Sequence, residues 1–203
     1  MCYSAPVSFG TFIFVAVIAL VLWFRNRRID RAIALILVVV AVMQIIEGVL
    51  WLNPDCDTIN QQFSAAIPVL LYLQPLLINA IVAWYAAGWG AGYGIIALGF
   101  LVFLPIQLYW IGQRFGACVT RNSNGQLDWT PIVGKVDPIG ILPGMIYDAA
   151  MMYPFLTLQN PLFGLSYLIM SIVSRIGFEG LYTQTWPSLW CHFVNALAVL
   201  ALL

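Results

Sequence analysis

Long uninterrupted runs of hydrophobic residues fill most of this chain, and short polar segments separate them. A helix needs roughly 17–25 predominantly apolar residues to cross a bilayer, whereas a membrane β-strand alternates apolar and polar positions. Because the runs are continuous, the pattern predicts an all-α membrane bundle that forms a single domain over residues 1–203. Seven spans are expected: Val7–Phe24, Ala32–Leu52, Ala65–Gly88, Gly92–Gly112, Ile139–Leu158, Pro161–Phe178 and Pro187–Leu203.

The fifth and sixth spans are less sharply defined than the others. Pro143, Pro154 and Pro161 interrupt them, and only the pair Gln159–Asn160 separates them. A helical hairpin fits this spacing better than one long helix does. The seventh run reaches the last residue without a polar tail, which is compatible with a longer natural chain.

Composition supports a membrane location and excludes some partners. Hydrophobic residues make up 63% of the chain and charged residues only 8%, against about 25% charged in soluble domains. This small number of charged residues cannot solvate the surface of a globular protein of this size. Lipid must therefore be part of its solvent. The net charge is zero and no basic stripe is present, which argues against nucleic acid as a partner. We expect a multi-pass protein of a plasma or inner membrane, with the lipid bilayer as its main partner.

The charges predict the orientation of the bundle. Four arginines crowd the first loop: Arg25, Arg27, Arg28 and Arg31. Positively charged loops stay in the cytoplasm, so the N-terminus is expected outside. The second loop, Asn53–Ser64, contains two aspartates and no cation, which agrees with this orientation. The loop Gln113–Pro138 contains three cations, which is mild disagreement.

The loop after the fourth span carries a turn signal. Asn124-Gly125 is a strong two-residue hairpin sequence, and the flanking residues alternate loosely between apolar and polar. This pattern predicts a small β-hairpin over the outer mouth of the bundle. An irregular polar loop is the alternative.

The four cysteines all fall on the predicted outer side: Cys2, Cys56, Cys118 and Cys191. Disulfides persist in that oxidising environment, so we expect at least one. The favoured pairs are Cys56–Cys118, which are both loop residues, and Cys2–Cys191, which both lie near the membrane surface. Four cysteines allow three connectivities, and each cysteine could instead be a small buried hydrophobic residue.

A metal site built from the cysteines is a competing interpretation. Cys191 and His192 are adjacent and Cys2 could approach them, which would give soft and borderline ligands. Adjacent helical residues point about 100° apart, however, which suits a shared metal poorly. We therefore expect no metal and no cofactor.

Polar residues recur in the outer half of the second to seventh spans. The candidate ligand-binding residues are Gln44, Glu47, Gln74, Gln107, Asp148, Arg175 and His192. A charged side chain facing lipid costs about 2.5–3.5 kcal/mol on insertion scales, so these groups should face one another. Glu47 and Arg175 form the best opposite-charge pair at similar depth. The pattern predicts an outward-facing polar cavity, and the alternative is a set of separate hydrogen bonds between helices.

Three sequence motifs are shared with a group of membrane proteins. They are Met-Cys-Tyr-Ser-Ala at Met1–Ala5, Gln-x-x-Glu-Gly-x-x-Trp at Gln44–Trp51, and Trp-Cys-His-Phe within Leu189–Phe193. In these motifs the chain resembles an uncharacterised group of small bacterial and viral seven-helix membrane proteins, a domain of unknown function. The resemblance implies a fold and no activity. It draws attention to Cys2, Gln44, Glu47, Trp51 and Cys191, whereas His192 stands where the group has an aromatic residue.

Three classes of function fit these features. The first is a transporter, channel or sensor that binds a small polar solute or an ion at the outward-facing polar site. The second is an intramembrane enzyme with Glu47, Asp148 and His192 as acid–base groups, and the third is a structural or accessory membrane subunit. Retinal chemistry is excluded because Lys135, the only lysine, lies in a loop and cannot form a Schiff base inside a helix.

Overall fold

The fold is a helical bundle with a small sheet at one end. The computed structural model describes residues 4–85, 90–113, 115–122, 125–133, 138–157, 165, 169 and 190–202. The helices within these residues are α1 (Ala5–Arg25), α2 (Asp30–Leu52), α3 (Thr58–Tyr85), α4 (Gly90–Gly112), α5 (Thr130–Val133), α6 (Pro138–Thr157) and α7 (Trp190–Leu200). The strands β1 (Thr120–Arg121) and β2 (Leu127–Asp128) pair antiparallel.

Four of these helices are long and apolar enough to cross a membrane. They are α1, α2, α3 and the part of α4 from Gly92 onward. Helices α6 and α7 fall where the fifth and seventh spans are expected. The sixth expected span, Pro161–Phe178, lies outside the described residues apart from Leu165 and Ile169, which are helical. The count of seven spans therefore stays a prediction.

Helix α3 begins earlier than the hydrophobic pattern predicts. It starts at Thr58 instead of Ala65, because Asp57 caps it: the Asp57 Oδ1 atom accepts a hydrogen bond from the Asn60 backbone N–H at 2.8 Å. The first two turns of α3 are polar and extend beyond the apolar run. This extension carries two side chains that bind the loop after α4.

The helices pack around two neighbouring interfaces. α1 and α2 form an antiparallel hairpin, and α7 packs against both. Their shared core includes Val15, Leu22, Ile36 and Ala198. On the other side of α2, α3 packs against α2, α4 and α6. No residue in the apolar window of α4 is buried.

The turn between α1 and α2 is bound to the end of α7. The Arg25 guanidinium donates to both Asp30 carboxylate oxygens at 2.7 and 2.9 Å. It also donates to the carbonyl oxygens of Leu202 at 2.7 Å and Ala201 at 3.2 Å. Because carbonyl groups at a helix C-terminus lack partners within the helix, this arginine caps α7. We call this group of residues (Arg25, Asp30, Ala201 and Leu202) the arginine clamp.

The opposite end of the bundle is covered by the loop after α4. A disulfide joins Cys56, in the α2–α3 loop, to Cys118, with 5.6 Å between the two Cα atoms. This is the first of the two pairs favoured by the sequence. The described residues of the segment 115–133 contain β1, β2 and α5, and we call this segment the roof. The expected hairpin is present, with Gly125 at a φ of 72° in the turn, where a side chain would be strained.

Candidate functional site

The roof is attached to α3 by a buried polar network. The Asn60 Nδ2 atom donates to the carbonyl oxygen of Asn53 at 2.8 Å and to that of Val119 at 2.9 Å. The Ser64 hydroxyl accepts from the Val119 backbone N–H and donates to Asn60 Oδ1, both at 2.9 Å. Two side chains of α3 thus satisfy both backbone groups of Val119, which is fully buried. An unpaired buried backbone group would cost about 1–3 kcal/mol, so this network fixes the position of the roof.

A second attachment joins the roof to the end of α2. The Arg121 Nη2 atom donates to the carbonyl oxygen of Trp51 at 3.0 Å, and its guanidinium lies 5.0 Å from the centre of the Trp51 ring. A cation near the last turn of a helix interacts favourably with the helix dipole. Because Arg121 is engaged in this way, the cation in the roof has a structural role that does not depend on which side of the membrane it faces.

The lower face of the roof is apolar and tightly packed. Leu127, Trp129 and Ile132 are each no more than 2% exposed, and they pack with Leu50 of α2 and Ile67 of α3. Burial of such side chains stabilises the contact by about 1.5–3 kcal/mol each. Ile132 thereby reaches into the space between the helices.

A pocket of about 310 Å³ lies under Ile132, between α3, α4 and α6. Its lining residues are Pro68, Leu71, Tyr72, Gln107, Trp110, Ile111, Ile132 and Tyr147. The volume is at the lower end of the range for small-molecule sites. We call it the lateral pocket, because exposed residues of α4 form one of its walls.

Four side chains with polar groups line the lateral pocket: Tyr72, Gln107, Trp110 and Tyr147. The Tyr147 hydroxyl donates to Gln74 Oε1 at 2.8 Å, and the Tyr72 hydroxyl donates to the carbonyl oxygen of Phe100 at 2.7 Å. Gln107 is exposed and makes no hydrogen bond to the part of the chain that the structure describes. The pocket therefore combines aromatic walls with amide and phenol groups.

The predicted polar residues do not all line this pocket. Gln107 lines it, and Gln74 stands one hydrogen bond behind it, through Tyr147. Gln44 and Glu47 are 2% and 1% exposed on α2 and are not among the residues that line the lateral pocket. The described lining residues belong to α3, α4, α6 and the roof, and none belongs to α2. Gln74 is buried like Gln44 and Glu47, whereas Gln107 is exposed.

The remaining candidates can be placed only in part. Asp148 is half-buried on α6, beside Tyr147 in the sequence. Cys2 and Arg175 lie outside the described residues, as do the side chains of Cys191 and His192. The expected pairs Cys2–Cys191 and Glu47–Arg175 therefore stay predictions.

Helix α1 contributes polar groups that the sequence pattern did not single out. Ser8 is fully buried and Thr11 is 5% exposed, and the Thr11 hydroxyl accepts a hydrogen bond from Asn195 Nδ2 of α7 at 3.2 Å. Tyr72, Trp110 and Tyr147, which line the lateral pocket, are likewise absent from the set of candidate residues. The spacing of Ser8 and Thr11, three residues apart on one helical face, is the signal that could have found them.

Asn79 joins α3 to α6 deeper in the bundle. Its Nδ2 atom donates to the carbonyl oxygens of Pro75 and Ala150, at 2.8 and 2.9 Å. Pro75 itself lacks a backbone donor, yet α3 continues through it. These contacts fix α6, and with it Tyr147, relative to α3.

Metal-binding groups and similarity to known proteins were the remaining sources of functional information. Among the described residues, no group of three histidine, cysteine, aspartate or glutamate side chains could hold a metal ion. No protein family, curated protein or solved structure matches the chain. The functional argument therefore rests on the arrangement of the helices, the roof and the lateral pocket.

Proposed function

We propose that this chain is a multi-pass membrane protein that binds a small solute from the outer side, as a transporter, channel or sensor. We propose too that it has seven spans and belongs to the group of unknown function that its motifs resemble. The observation that carries the functional proposal is the lateral pocket, with Gln107 and Tyr147 in its walls. Pockets that bind small molecules are mostly apolar with a few convergent polar groups, which is the composition found here.

The chemistry of the lateral pocket favours binding over catalysis. Its described lining residues offer one amide, two phenol groups and one indole N–H, and no carboxylate or imidazole is among them. General acid–base catalysis at neutral pH depends mainly on carboxylates and histidines. An enzyme built on Glu47, Asp148 and His192 is thus the second hypothesis, and a structural subunit is the third.

Two independent features support an orientation with the roof outside. The Cys56–Cys118 disulfide lies at the roof end, and disulfides persist in oxidising compartments. At the other end, Asp30 pairs with Arg25. The other three cations near that turn, Arg27, Arg28 and Arg31, are exposed. An exposed positive turn favours the cytoplasm. In this orientation the lateral pocket lies in the outer half of the bundle.

Substituted-cysteine labelling tests whether the lateral pocket admits water from the outside. A cysteine at Gln107 should react with an impermeant maleimide applied to intact cells, because water is needed to ionise the thiol. Leu108 is the matched control, since it is the next residue on α4, is 47% exposed and does not line the pocket. Gln107→Cys should label clearly faster than Leu108→Cys, with the native Cys2 and Cys191 replaced by serine in both.

Equal labelling rates at positions 107 and 108 would contradict a water-accessible pocket. The Gln107 side chain would then be only an exposed polar group on a helix that faces lipid. That result would leave the structural or accessory subunit as the better proposal. Labelling of Gln107→Cys only after the membrane is opened would reverse the proposed orientation.

A further inference from the structure

The hydroxyl groups of both tyrosines that line the lateral pocket already donate hydrogen bonds within the protein. Tyr147 donates to Gln74 Oε1, and Tyr72 donates to the carbonyl oxygen of Phe100. A phenol hydroxyl carries one donor and also accepts hydrogen bonds, so each group now offers only acceptor capacity to a ligand. The pocket is therefore richer in acceptors than its residue types suggest.

The amide of Gln107 offers both a donor and an acceptor, and the Trp110 indole N–H offers a donor. The Gln107 amide makes no hydrogen bond to the described part of the chain, so its full capacity is open to a ligand. A ligand with a donor group can thus bond to a tyrosine oxygen or to Gln107 Oε1. A ligand without a donor can use only the Gln107 NH₂ group and the Trp110 indole N–H.

The walls set the shape and charge of the ligand. Tyr72, Trp110 and Tyr147 present aromatic rings, and Leu71 and Ile132 add aliphatic surface. Flat apolar groups pack well against such rings. No charged side chain is among the described lining residues, and a charge moved away from water without a partner is costly. The volume of about 310 Å³ corresponds to roughly ten water molecules at ~30 Å³ each.

We infer that the lateral pocket selects a small, uncharged, flat ligand that carries a hydrogen-bond donor, such as a phenol or a primary amide. This inference rests on the proposed function and specifies the class of solute, because it excludes inorganic ions from this site. The donor of the ligand binds the tyrosine oxygens, and its ring lies against the aromatic walls.

Ligand-observed ¹⁹F NMR tests this selectivity with three probes of similar size. They are 4-fluorophenol, which has a donor, 4-fluoroanisole, whose donor is methylated, and 4-fluorobenzylamine, which is a cation at neutral pH. The full-length protein is placed in nanodiscs, and empty nanodiscs correct for partition into lipid. The phenol should bind about fivefold more tightly than the anisole, since one neutral hydrogen bond contributes about 1 kcal/mol.

Variants connect the selectivity to the pocket. Tyr147→Phe and Gln107→Leu should each reduce the preference for the phenol over the anisole. Tyr109→Phe and Gln62→Leu are the matched controls, because Tyr109 and Gln62 are exposed and do not line the pocket. Both controls should keep the wild-type preference. Thermal unfolding of each variant in nanodiscs identifies any that has lost its fold.

Three outcomes would overturn the inference. The first is equal binding of the phenol and the anisole. The second is tighter binding of the benzylammonium cation than of the phenol. The third is that no probe binds, although the Gln107→Cys variant is labelled from outside. The last outcome would leave the proposed function intact, since another solute class could enter a water-accessible pocket. Failure of Gln107→Cys to label faster than Leu108→Cys would instead defeat the proposed function itself.

Discussion

At the scale of single residues, Gly48 shows how closely α1 approaches α2. A Cβ atom at Gly48 would lie 2.7 Å from the ring of Phe9 on α1, which is closer than carbon atoms tolerate. Gly48 follows Glu47 within the Gln-x-x-Glu-Gly-x-x-Trp motif, so the glycine has a packing reason to be there. The contact sets the spacing of the two helices beside Glu47.

Gly48→Ala should therefore destabilise the protein by about 1–3 kcal/mol, as overpacking does. The measurement is the thermal unfolding midpoint of the purified protein in one detergent. Gly10→Ala on α1 is the matched control, because no atom of the described residues lies within 4 Å of a Cβ there. That change should stabilise the helix by up to about 1 kcal/mol through helix propensity. A Gly48→Ala protein as stable as Gly10→Ala would show that Phe9 can move aside at no cost.

At the scale of secondary-structure elements, the arginine clamp holds the first and last described helices together. Arg25 ends α1, Asp30 begins α2, and the carbonyl groups of Ala201 and Leu202 follow α7. Asp30 is 5% exposed in its side chain and Arg25 23%, so water screens their pairing only partly. The planar fork of arginine suits a bidentate carboxylate, which lysine cannot match.

Asp30→Asn or Arg25→Gln should lower the free energy of unfolding by about 1.5–3 kcal/mol, the range for hydrogen bonds to charged groups. Arg25→Lys should recover only part of the loss, since it keeps the charge and loses the fork. Arg28→Gln is the control, because Arg28 is exposed on the same turn and makes no hydrogen bond or ion pair with the described residues. Chemical unfolding in mixed micelles gives the four values. Equal stability of Arg25→Lys and the wild type would mean that charge alone matters.

At the scale of the whole molecule, the roof ties together parts of the chain that are far apart in sequence. The disulfide spans 62 residues, from the α2–α3 loop to the segment after α4. The contacts of Asn60 and Ser64 with Val119 connect the same two regions without a covalent bond. The position of the lateral pocket depends on both, because Ile132 belongs to the roof and lines the pocket.

Replacing Cys56 and Cys118 by serine should destabilise the protein by up to about 4 kcal/mol, the chain-entropy expectation for a loop of this length. The roof should nevertheless remain docked in the folded state, because the Asn60 and Ser64 hydrogen bonds persist. Hydrogen exchange of the Val119 amide, measured by mass spectrometry of roof peptides, reports this directly. Rapid exchange throughout the roof of the folded variant would show that the disulfide alone keeps it in place.

The orientation of the molecule is also testable at this scale. A cysteine at Arg28 should resist an impermeant reagent in intact cells, whereas one at Gln62 should react, since the two exposed positions lie at opposite ends of the bundle. Arg28 suits this test better than Asn26, which has a left-handed φ of 49° that a cysteine would strain. Reaction at Arg28 and protection at Gln62 would place the roof in the cytoplasm.

Several features of the fold could be predicted from the sequence because they are local. The lengths of the apolar runs predicted α1, α2 and α4 to within two residues at each end, since hydrophobicity along the chain is what lipid selects. Asn124-Gly125 predicted the hairpin, because a tight turn depends on residues next to one another. The start of α3 was missed, because its polar first turns are helical through the Asp57 cap and give no hydrophobic signal.

The sequence by itself predicted a bundle of helices, four of which are long and apolar enough to cross a membrane, with a hairpin at one end. Only the tertiary structure decided which polar groups share a site: Gln107 with Tyr147 and Gln74 at the lateral pocket, and Asn60 with Ser64 beneath Val119. The physical reason is that these helices are apolar on nearly every face. A soluble helix reveals its buried side through its pattern, whereas here both lipid and protein accept the same residues, and packing alone sets which way each helix faces.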